Sequence, residues 1–146
     1  MKKGFKIFLA AVFCLFMAAC SSKGYEVKQG AFEGVPINND IVILKNTSDV
    51  SNYLAEERFS GSDSFKNQLG EYTDEYFQNK DIIIINIQES SSSNTLKVSS
   101  VEKTESAITV KIKRNTPDVG TDALKTWCFI IELEKSEAGE ARYTII

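Results

Sequence analysis

The stretch Ile82-Ile83-Ile84-Ile85-Asn86-Ile87 constrains the fold more than any other. Successive side chains of a strand point to opposite faces, so an almost wholly apolar run is apolar on both. Such a strand needs cover on two sides and belongs in the middle of a sheet. The rest of the chain has to supply both covers.

The residues after it read as strands. Thr95-Leu96-Lys97-Val98 alternates, Val101 falls out of phase, and a bulge near Ser99-Ser100 restores the pattern. Lys103 to Ser106 reads as a turn. Ala107 to Arg114 then alternates, with Ile108, Val110 and Ile112 on the inner face and the bases outside, so the two strands should form a hairpin. In Thr126 to Glu134, Trp127, Phe129, Ile131 and Leu133 share one face. Cys128 and Ile130 lie on the other, which turns polar at Glu132 and Glu134. Ala141 to Ile146 can form a last strand.

The residues before it supply helices. Ile41 to Leu44 is a short β-branched strand. Thr47-Ser48-Asp49 then starts a helix, with Ser48 expected as the cap and Val50, Tyr53 and Leu54 as its face. Phe65 and Leu69, four apart, suggest a second helical turn ended by Gly70. Thr73-Asp74-Glu75 begins a third short piece whose buried side is Tyr76 and Phe77. The expected fold is a single small α+β domain over residues 40–146. It has about six strands in a mostly antiparallel sheet, sandwich or small barrel, and two or three short helices in its first half.

The first nineteen residues have a different character. Lys2, Lys3 and Lys6 precede an uninterrupted apolar run from Ile7 to Met17, the layout of an export signal. That run is shorter than the roughly 20 residues that span a bilayer. Met17-Ala18-Ala19-Cys20 reads as a lipobox, so residues 1–19 are expected to be removed and Cys20 to carry fatty acyl chains such as palmitate. One chain holds a protein only marginally, whereas two hold it stably. The expected location is the extracytoplasmic face of a membrane, through the lipid. Residues 20–39 mix Ser, Gly and Pro with charges and are expected to be a linker.

Composition narrows the chemistry. The chain has 17 Lys+Arg and 20 Asp+Glu; the leader carries three Lys and no acid, leaving 14 against 20 and a net charge of −6. A basic footprint for nucleic acid is missing. There is no His, which removes Ser-His-Asp and Cys-His catalysis and His-dependent zinc sites. Cys14 leaves with the leader and Cys20 is acylated, so Cys128 stands alone and no internal disulfide is expected. Inside an apolar strand, with no base beside it, Cys128 reads as a packed thiol rather than a nucleophile. Asp118, Asp122 and Glu132 do not have the spacing of a calcium loop. Trp127 reads as core. No catalytic residue, metal site or cofactor is expected, and the chain reads as a non-enzyme.

Three blocks carry a family resemblance. They are Tyr72 to Lys80 running into the isoleucines, the Ser-rich loop with its hairpin, and Arg114 to Glu132 with Pro117, Gly120-Thr121 and Trp127. Together they resemble the C-terminal domain of the PrcB-like protease-complex-stabilising lipoproteins over about Thr47 to Lys135. The resemblance implies an accessory role beside an envelope protein complex such as a surface protease. This chain has Ser90 to Ser93 where that family usually carries glycine.

Loops on a rigid scaffold are where binding sits. The expected partner-binding residues are Ser90, Ser91, Ser92 and Ser93 in one loop and Pro117, Gly120 and Thr121 in another. A rival expectation is a cell-wall glycan or small-ligand binder that uses Trp127 and tyrosines.

Overall fold

The computed structural model describes residues 24–33, 39–56 and 63–146. The expected leader and lipobox, Cys20 included, lie outside the described residues, as do residues 34–38 and 57–62. Among the described residues, seven strands form two sheets. The first holds β1 (Tyr25–Glu33), β6 (Lys125–Glu134), β3 (Lys80–Glu89) and β2 (Asp40–Leu44) in that spatial order, every neighbour antiparallel. The second holds β4 (Thr95–Lys103), β5 (Ala107–Asn115) and β7 (Glu140–Ile145). Helices α1 (Thr47–Leu54) and α2 (Asp63–Gly70) and a 3-10 turn (Tyr76–Gln78) fall between β2 and β3. The fold is therefore the expected α+β domain, mostly antiparallel sheet, with its helices in the first half.

The isoleucine run lies in β3, a central strand, and is covered on both faces as its pattern requires. Ile83, Ile85 and Ile87 pack with Trp127, Phe129, Ile131 and Leu133 against Leu96, Val98, Ile108, Val110 and Ile112 of the second sheet. Ile82 and Ile84 pack with Cys128 and Ile130 against Val50 and Tyr53 of α1, Phe65 and Leu69 of α2, and Phe77. The result is three layers, helices on sheet on sheet. Burying each of these isoleucines contributes roughly 1.5–3 kcal/mol, so β3 and β6 anchor both cores at once.

The structure corrects several local expectations. Residues 25–33, read as linker, form β1, which pairs along its whole length with β6 from Tyr25↔Leu133 to Glu33↔Lys125. Charged residues hid the strand, because only one of its faces reaches a core: Tyr25 and Val27 pack between the sheets, while Glu26 is exposed. The cap of α1 is Asn46, not Ser48. Its side chain accepts the Asp49 N–H at 2.8 Å, and the Asp49 carboxylate accepts the Lys45 N–H at 2.8 Å. The bulge falls where the phase slip put it, between Val98 and Ser100.

The last strand, β7, runs parallel to β5. Chain direction explains this. β5 runs up the second sheet, β6 returns down the first, and the chain turns at residues 135–139 to climb again beside β5. Ala138, fully buried, sits at that corner. The same alternation gives the domain two poles. The starts of β1 and β3 and the end of β6 meet at one, together with the turn of the β4–β5 hairpin, where Lys103 Nζ donates to the Glu134 carbonyl. The ends of β3 and β5, the starts of β4 and β6, and Ile146 meet at the other.

Candidate functional site: two loops tied at one pole

Both loops singled out in the sequence leave from the second pole. The Ser-rich loop links β3 in the first sheet to β4 in the second, and residues 116–124 link β5 back to β6. Each therefore crosses between sheets at the same end, and this brings them together. Ser91 Oγ accepts the Thr121 N–H at 3.1 Å, and the Ser92 and Thr121 hydroxyls share a hydrogen bond. Ser93 Oγ also donates to Thr121 Oγ1, at 3.4 Å. Lys125 Nζ reaches the Ser92 carbonyl at 3.3 Å and lies 4.8 Å from the Trp127 ring centre. A Cβ on Gly120 would come within 3.1 Å of Ser91 Oγ, so glycine lets the loops approach this closely.

Residues that sequence reasoning did not single out hold the base of this pair. Glu89, at the end of β3, is 3 % exposed. Its carboxylate accepts from Asn94 Nδ2 at 2.7 Å and from Arg114 at 2.6 Å. One buried acid thus ties the start of β4 and the end of β5 to β3. The partners are 5 and 25 residues away in the chain, and nothing local marks them.

The second loop offers something the polar first loop does not. Val119 is 83 % exposed and Leu124 45 % exposed; with Ile146 they are the large exposed hydrophobic residues of the described chain. All three lie at this pole. Asp118 and Asp122 flank the loop's apolar residues, and both are exposed. Pro117 and Ser90 are exposed in the same pair of loops. The signal was visible as two aliphatic residues in a polar loop, but exposure alone distinguishes them from core residues.

Two further polar clusters lie elsewhere. Glu132, expected on a polar stretch of β6, is buried near the opposite pole. Lys28 pairs with it at 2.6 Å, and the Tyr72 hydroxyl donates to it. Burial pushes this carboxyl up, but the hydrogen bonds from Lys28 and Tyr72 outweigh burial and hold it below the ordinary range. Burial first, and then Glu132, through its hydrogen bond with Tyr72 and its charge near Tyr76, raise both tyrosines well above the usual value. A cavity of about 200 Å³ lined by Glu132, Lys80, Tyr25 and Glu26 opens beside this group.

The other cluster is a row across three strands, Asp40, Asn86 and Cys128. Asn86 Nδ2 donates to Asp40 at 2.8 Å and to the Tyr53 hydroxyl at 2.7 Å, and its Oδ1 accepts from the Cys128 thiol. Burial, and then the Asp40 charge, push the thiol up to about 12. It is a weak nucleophile at neutral pH. Asp118 and Asp122 lie at one pole and Glu132 near the other, so the three acids do not converge. No group of His, Cys, Asp or Glu that could hold a metal ion occurs among the described residues. Trp127 is 8 % exposed and stacks on Phe129 with ring centres 6.2 Å apart.

The fold and site thus define a three-layer α+β domain with a tied pair of loops at one pole. Comparison of the chain with family models, with curated proteins and with solved structures returns no match.

Proposed function

We propose that this is a lipid-anchored extracytoplasmic accessory protein that binds a protein partner through the tied loops. A PrcB-like role, stabilising or assembling an envelope complex such as a surface protease, is the particular form of that reading. The observation that carries it is the exposure of Val119 and Leu124 on a loop braced by Ser91, Ser92 and Thr121. Exposed apolar side chains on a positioned loop suit a protein surface that can cover them. The buried ring of Trp127 offers a sugar no open stacking face, which counts against the glycan alternative.

The test is affinity capture from crosslinked native membranes with the wild-type protein and two variants. One carries Val119→Asp with Leu124→Lys; the other carries Ser90→Arg with Pro117→Lys, at two exposed loop positions outside the Ser91–Thr121 brace. Both sets of positions are at the surface, where substitutions typically change stability by about 0.5 kcal/mol or less. A partner recovered by the wild type should be lost from both variants at unchanged melting temperature. Equal recovery by the variants sinks the loop assignment.

A further inference from the structure

We propose that the domain stands on the membrane with its Tyr25 pole down and its tied loops at the far end, facing a protein partner held away from the bilayer. The inference rests on the lipid-anchor reading above and adds an orientation to it. Residues 21–24 alone separate Cys20 from Tyr25, the first residue of β1. A fully extended chain spans at most about 3.6 Å per residue, so the five steps from Cys20 to Tyr25 reach about 18 Å at most. It cannot lengthen without unzipping β1 from β6, and that pairing begins at its first residue, Tyr25↔Leu133. β6 has ten residues and rises about 33 Å from one pole to the other. Both loops leave from its far end. The tether is therefore shorter than the domain is tall, and it starts from the pole opposite the loops.

The orientation decides what Val119 and Leu124 are for. Held at the far pole, they stand well above the acyl chains, and Asp118 and Asp122 beside them repel anionic headgroups. They serve a protein surface, not lipid insertion.

The full lipoprotein, purified from membranes and reconstituted into vesicles bearing an acceptor dye on the lipid headgroup, gives the test. Cys128 is buried, so donor dyes can be placed singly through Glu105→Cys at the near pole and Val119→Cys at the far one. Energy transfer from position 105 should exceed that from position 119 several-fold. A long Gly-Ser insertion after Ser22 should erase most of the difference. Equal transfer, or stronger transfer from position 119, overturns the orientation and makes the loop a membrane contact. Flotation with the vesicles is scored in parallel for a variant that starts at Ser21 and so lacks both the leader and Cys20. If that variant floats as well as the wild type, the lipid anchor itself is wrong and the orientation falls with it.

Discussion

At the scale of single residues, the polar groups inside this domain make the sharpest predictions. Cys128 keeps its proton because burial disfavours the thiolate, and its value rises from about 9 to about 12. The raised value means the thiol's contribution to stability is present below about pH 9 and is lost as pH climbs toward 12. Native protein at pH 8 should leave Cys128 unmodified by a thiol reagent over the time in which denatured protein reacts fully. Rapid modification of the native state would show that the strand opens there. Glu132 has the opposite sign. Its folded carboxyl lies below the ordinary value, so its contribution is present above about pH 4.5 and is lost as pH falls through the folded value. Glu132→Ala leaves Lys28 and the Tyr72 hydroxyl without their acceptor and should cost about 1–3 kcal/mol at pH 7. Glu132→Gln keeps an acceptor for Tyr72 and should cost less. Denaturant melts at pH 7 and pH 4 check both statements, since the difference between wild type and Glu132→Ala should shrink at the lower pH.

At the scale of elements, β1 decides where the domain begins. Periodicity found the strands whose faces are both apolar or cleanly alternating. It missed β1, where Lys28 and Gly30 fall on the helix side beside Glu132 and Cys128. A soluble form starting at Ser21 should fold. One starting at Asp40, the boundary the sequence suggests, leaves the edge of β6 unpaired opposite nine lost partners. An unpaired strand edge next to an apolar face is an aggregation template. The shorter form should therefore melt lower and aggregate at concentrations where the longer one remains monodisperse by light scattering. Equal behaviour would mean that β1 adds little to the fold.

At the scale of the whole molecule, the folded core and the loops are coupled through Glu89. This acid closes β3, and its hydrogen bonds with Asn94 and Arg114 fix where the loops depart. Glu89→Ala should cost about 1–2 kcal/mol, since Arg114 is partly exposed and Asn94 loses a charged acceptor. It should also weaken partner capture more than its loss of stability accounts for, compared at a temperature where both proteins stay folded. Lower stability with intact capture would separate the brace from the site.

Much of this protein was written in one dimension. The isoleucine run specified a central strand, the phase slip at Ser99-Ser100 specified a bulge, and Trp127 and Cys128 fell on the faces their alternation assigned. These are local patterns, and burial on a known face is a local property of a strand. The loops could also be named from the sequence, because polar and turn-forming residues mark them. Only the tertiary structure could bring Ser91 to Thr121, set Glu89 against Arg114, turn β7 parallel to β5, and make β1 a strand. Each of these depends on pairing between residues far apart in the chain. Such pairings follow from chain direction and the closing of two sheets, which no short window of sequence contains.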